Sequence, residues 1–186
     1  MRPMRPLAAT ALAAIAVACG DPNQLADATV PNAEKVVTLY ALTGTPIASP
    51  SAYSIADGFT VRTDQGVAFD FAFNIDETSK PVVLPLSVLG LGVTSGTNAG
   101  FLKADVAFDA LAIAPLNGYV TSDTIHIAVG ERYAVRSRVV CSTLGVPKYG
   151  KIEVTAIDLV ARSITLRVVS DDNCGYRGLA PGLPTQ

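Results

Sequence analysis

The groups of this chain that could carry chemistry are one imidazole, a spread of aspartates, three closely spaced arginines and three thiols. His126 is the only histidine, and it alternates with Ile125 and Ile127, so it points to the polar face of a strand. A Ser–His–Asp triad would have to use it, and no Gly-X-Ser-X-Gly motif accompanies it. It reads as a surface histidine. Zinc would have to be completed from carboxylates. Calcium takes six to eight oxygens, and Asp70, Asn74 and Asp76 share one strand face, with Asp57, Asp64, Asp105 and Asp109 elsewhere. Donors along one strand face are spaced by about 6.8 Å, and no Asp-X-Asp-X-Asp-Gly loop is present. A solvated acidic face is the expectation. Paired carboxylates also serve glycosidases, but the chain has no Trp to stack on sugar. Arg132, Arg136 and Arg138 either meet an anionic partner or pair with Glu153 on a neighbouring strand, and pairing is preferred. No metal or cofactor is expected, and the chain is not read as an enzyme.

Cys19 carries the most specific signal. It follows Ala16-Val17-Ala18 and precedes Gly20. Arg2 and Arg5 form a basic start, and Leu7 to Val17 is an apolar run too short to span about 30 Å of hydrocarbon. The segment resembles the lipobox signal peptide of bacterial lipoproteins, with Ala where Leu is more typical three places before the cysteine. That resemblance implies cleavage after residue 18 and a diacylglyceryl group on the Cys19 thiol. It implies a lipid-anchored protein of the bacterial cell envelope, facing the periplasm or the surface. Gly20 in place of Asp favours the outer membrane by the same resemblance. The alternative is a plain secretory signal with an incidental cysteine.

Cleavage would leave Cys19 to Gln186, enough for one domain with a real core. Lys plus Arg would fall from 14 to 12 against 16 acidic residues, and no basic excess points to nucleic acid. Residues 19–34 read as a polar tether, 35–177 as a single β-rich domain and 178–186 as an irregular tail. No repeat of solenoid or propeller period is present.

Period-2 alternation must position these groups. Phe69, Phe71, Phe73 and Ile75 face one side, and Asp70, Ala72, Asn74 and Asp76 the other, as in a sheet with one wet face. Val36 to Leu42 reads as a first strand. Phe59 to Arg62 reads as one arm of a hairpin with the Phe-rich strand, through Thr63-Asp64-Gln65-Gly66. Val82 to Val93 is buried strand and turn, because Pro85, Gly90 and Gly92 break it. Ala104 to Leu111 and Thr124 to Val129 read as strands, the latter with Ile125, Ile127 and Val129 inward. Arg132 to Cys141, Tyr149 to Ile157 and Ser163 to Ser170 form a meander, with Tyr133, Val135, Val139 and Cys141 on one face. At most a turn or two of helix is expected near Asn23 to Asp27 or Asp109 to Ala114. The fold class is therefore all-β, an antiparallel two-sheet β-sandwich rather than a barrel.

With Cys19 committed, Cys141 and Cys174 remain as an even pair outside the cytoplasm and should be oxidised. In an up-down-up meander the first and third strands end at the same edge, about 9–10 Å apart across two spacings. Asp171-Asp172-Asn173 must then bend inward to bring the sulfurs together. A redox-active pair is the alternative, but such pairs sit close in sequence, as in Cys-X-X-Cys.

Tyr133-Ala134-Val135-Arg136-Ser137 with Lys148-Tyr149-Gly150-Lys151-Ile152 resembles a hairpin of lipid-anchored haem-capturing β proteins. The resemblance covers about forty residues and implies a fold element. That family ligates iron through two His, and here His126 stands alone.

Three functions follow. The first is a non-catalytic binding or structural module whose envelope protein partner covers apolar or edge-strand surface. The second is a carrier of a small apolar ligand, which needs a concave pocket. The third, the weakest, is a hydrolase, which needs converging perturbed groups in a cleft.

Overall fold

The computed structural model describes residues 25–92 and 97–185. Among these residues ten strands follow in chain order: β1 Glu34–Tyr40, β2 Ala52–Ser54, β3 Phe59–Val61, β4 Phe71–Ile75, β5 Pro81–Pro85, β6 Gly100–Ala104, β7 Ile125–His126, β8 Arg132–Cys141, β9 Val146–Asp158 and β10 Ser163–Ser170. One sheet has the order β1-β10-β9-β8-β6 and the other β3-β2-β4-β5-β7. All pairings are antiparallel. The architecture is the expected β-sandwich, and neither sheet closes on itself.

Alternation explains why these strands face each other. Phe71, Phe73 and Ile75 of β4 meet Tyr133 and Val135 of β8, Ile152 and Val154 of β9, and Ile164, Leu166 and Val168 of β10 in one buried cluster. Aromatic rings cross the interior in sequence, from Tyr53 to Phe71 (5.9 Å), to Phe101 (4.9 Å), to Tyr133 (5.9 Å). Two are edge-on, the geometry that places a positive ring edge on a negative ring face. Packing at the sheet centre is tight. A Cβ on Gly150 of β9 would stand 2.6 Å from the Val169 carbonyl oxygen of β10.

Several expectations need correction. Phe59 to Arg62 does not pair with the Phe-rich strand. β3 pairs with β2, and β4 pairs with β2's other edge. The 3₁₀ turn Thr63–Gln65 and Gly66 (φ 67°) carry the chain across rather than back. Phe69 precedes β4 and leaves its phase, packing on the outer face with Ala52, Val61 and Ala72. The expected strand over 104–111 ends at Ala104, and the chain turns, with Leu111 N–H donating to the Ala107 carbonyl. Of 124–129 only Ile125 and His126 pair, and Val129 is exposed. On β8 the register shifts between Arg136 and Val139. That bulge inserts a residue and reverses the phase, so Val139 turns outward and Arg138 faces the other sheet.

The outer face of the first sheet is not wet throughout. Leu111, Ala114, Tyr119 and Leu179 cover Ala134 and Tyr149 there. Residues 25–33, expected within a tether, run beside the C-terminal segment, with Asn32 bridged to Gly182. Residues 1–24, including the signal segment and Cys19, lie outside the described residues.

Candidate functional site

Cys141 and Cys174 are joined, with Cα atoms 5.7 Å apart. Asp171-Asp172-Asn173 makes the required bend. Asp171 N–H donates to the Tyr149 carbonyl, and Asp171 Oδ1 accepts the Asn173 N–H and its Nδ2.

His126 is exposed at the edge of the second sheet, its Nε2 3.0 Å from Asp76 Oδ2. Asp76 has a turn-holding task. Its Oδ1 accepts the N–H of Thr78 (2.8 Å), the Thr78 hydroxyl (2.8 Å) and the N–H of Lys80 (2.9 Å). The Lys80 N–H first, then the Thr78 hydroxyl, hold this carboxyl well below its ordinary value of 3.8. The folded value lies below the unfolded one, so the stabilisation is full above 3.8 and is lost as pH falls toward the folded value. Asp76→Ala should therefore be less stable than wild type at pH 6, with the gap closing below pH 3.8. Urea unfolding of both proteins across that range checks this.

The remaining acidic residues do not form one solvated face. Asn74 Oδ1 accepts from Thr43 N–H and Oγ1. Asp64 pairs with Arg62, and Asp109 with Arg167, while Asp105 is exposed just past β6. Asp70 is wholly buried. Its Oδ1 accepts from Arg138 N–H (2.8 Å) and Nη1 (3.0 Å), and its Oδ2 from Ala56 N–H (3.0 Å). Burial pushes its carboxyl up, and these hydrogen bonds pull against that. Among the described residues no three His, Cys, Asp or Glu side chains gather to hold a metal.

The three arginines part company. Arg136 stacks on the Tyr119 ring at 4.8 Å. Arg132 stands opposite Glu153 in register, but that carboxylate bonds to Arg167, which also holds Glu34 and Asp109. The preferred Arg–Glu153 pairing is thus replaced by one from β10. Arg138, redirected by the bulge, reaches Asp70 and lies 3.6 Å from Asp57.

Two features carried no sequence signal. Lys151 is buried, donating to the carbonyls of Phe108 and Leu111, and burial lowers its amine below the ordinary range. The loop 54–58 is gripped from three strands of the opposite sheet. Lys35 donates to the Gly58 carbonyl, Lys148 to the Ala56 carbonyl, and Arg138 faces Asp57. This polar seam fixes the β2–β3 hairpin and the Arg138 guanidinium.

Beside that seam lies an apolar surface on the outer face of the second sheet. Its floor is Ala52, Val61, Phe69 and Ala72, flanked by Leu42, Leu86 and Leu89. Phe59 (47 % exposed), Val67 (41 %) and Leu91 (59 %) stand above it. Two depressions adjoin at Val67. One, of about 270 Å³, is lined by Pro50, Phe59, Thr60, Val61, Arg62 and Gln65. The other, of about 390 Å³, is lined by Ala68, Phe69, Leu86 and Leu91, with Arg138 at its rim. Among the described residues no strand pairs with the outer edge of β3. The groove thus combines apolar side chains with two cations, Arg62 and Arg138, beside the uncovered edge of β3, a lining that suits an extended segment.

No family model, curated protein or solved structure matches the chain.

Proposed function

We propose that this chain is a lipid-anchored, non-catalytic binding module of the bacterial cell envelope. Its binding surface is the Val67 groove. The observation that carries this reading is an apolar depression at Phe69, Leu86 and Leu91 that adjoins, at Val67, a mixed one along β3, whose outer edge no described strand covers. An extended segment of a protein partner would add a strand at β3, with alternate side chains entering the depressions. Exposed apolar side chains that adjoin in this way are costly to leave in water, which is why such patches mark interfaces.

A second reading, a carrier of a small apolar ligand, is favoured by the larger depression alone. Its wall of Phe69, Leu86 and Leu91 suits a small apolar ligand. The sandwich interior does not suit it, because Phe71 and Phe73 fill the core.

Placing a photo-reactive amino acid at Val67 in the native host tests the leading reading. The expected result is one discrete protein adduct from Val67, abolished by Leu91→Glu, and none from exposed Val36 on β1. Equal adducts from Val67 and Val36, or none from either, would contradict it.

A further inference from the structure

The chain enters the folded body at the disulfide end. A Cβ on Gly175 would come within 2.8 Å of Leu25 Cδ2, so Leu25 sits on that glycine. The Tyr176 hydroxyl donates to the Ala26 carbonyl. Asn173 Oδ1 accepts the N–H groups of Thr29 and Val30, and its Nδ2 donates to the Val30 carbonyl. Residues from Leu25 onward therefore belong to the body. Six residues of chain lead from Cys19 to Leu25, a reach of at most about 22 Å in any conformation. A lipid on Cys19 would hold the disulfide end within that distance of the bilayer.

The surface presented there has the chemistry of an interface. The β8–β9 hairpin carries no charged side chain from Val139 to Pro147. Leu144 is exposed at its tip, beside Ser142 and Thr143. Ala26, Val140, Leu144 and the Cys141–Cys174 bridge line an open depression of about 420 Å³. The β9–β10 hairpin at the far end of the meander differs. Val160 is 96 % exposed at its tip, but Asp158 and Arg162 flank it.

We infer that the β8–β9 hairpin tip and the depression beside it are a second membrane contact, resting in the headgroup layer of the bilayer that carries the anchor. This rests on the lipid-anchor reading above. The contact adds buried apolar area to the acyl chains and fixes which end of the sandwich faces the membrane. The β9–β10 tip then points away.

The absence of Trp makes the test direct. Leu144→Trp and Val160→Trp each introduce a single fluorophore at an exposed position. The full-length lipidated proteins are reconstituted into phosphatidylethanolamine–phosphatidylglycerol vesicles with brominated acyl chains. Leu144→Trp should be quenched about twofold or more relative to unbrominated vesicles, and Val160→Trp unchanged. Proteins that float with the vesicles yet show no quenching at position 144 would overturn the contact while leaving the anchor intact. A bare Cys19 in the intact mass, with no flotation, would overturn anchor and contact together. Shielding from an aqueous quencher without bromolipid quenching would mean a protein covers the tip, and would also overturn it.

Discussion

Asp70→Ala is expected to lower the unfolding free energy by about 3–5 kcal/mol, read as a fall in the urea midpoint with little change in slope. The cost does not come from losing a favourable ion pair. Burying the carboxylate is itself expensive, which is why burial pushes its pKa up. The cost comes from what remains. The Arg138 guanidinium, mostly covered, loses its closest carboxylate, and the N–H groups of Arg138 and Ala56 lose their acceptor inside the protein. Because Ala56 belongs to the loop that Lys35 and Lys148 also hold, the β2–β3 hairpin loosens as a unit. Asp70→Asn keeps an acceptor oxygen and should fall between wild type and Asp70→Ala. A loss below about 1 kcal/mol for Asp70→Ala would show that the seam does not join the sheets.

Replacing Cys141 and Cys174 together by Ala is expected to cost about 3–4 kcal/mol. The bridged residues lie 33 positions apart, and closing that loop removes chain entropy from the unfolded state. The native consequence is local. Among the described residues no named strand follows β10, and the bridge ties the segment carrying Asn173, Tyr176 and Leu179 to β8. Asn173 and Tyr176 in turn hold Ala26, Thr29 and Val30. Urea unfolding of the variant, or of wild type under reductant, reads the effect. An unchanged midpoint would contradict it.

Much of the fold was legible where one face of a strand is buried and the other is not. The β8–β9–β10 meander, the inward Phe71, Phe73 and Ile75, and the Cys141–Cys174 pair all follow from alternation and strand direction. Alternation is silent where both faces are covered. Ala52, Tyr53 and Ser54 are all buried, so β2 carried no period-2 signal, and its insertion between β3 and β4 went unread. Lys151 was hidden for the same reason, because the segment after β6 covers the face it occupies. A bulge adds one residue without any marker in composition, so the phase of Arg138 and Val139 was lost at Ser137. The apolar groove was the least legible feature. It combines the short strand β3 and the outer face of β2 and β4 with the loops around Val67 and Leu91, plus Arg138 from the other sheet, and no single period runs through these pieces.

The groove is where the functional account stands or falls, and native mass spectrometry of the lipidated protein, gently extracted from its own membrane, tests it most directly. Wild type is expected to retain a discrete non-covalent mass, protein-sized for a partner or under about a kilodalton for a carried apolar ligand. Val67→Glu should lose that mass, while Val160→Glu at the far hairpin keeps it. A wild-type protein that flies as a bare lipidated monomer, or a bound mass that survives Val67→Glu unchanged, would contradict the account.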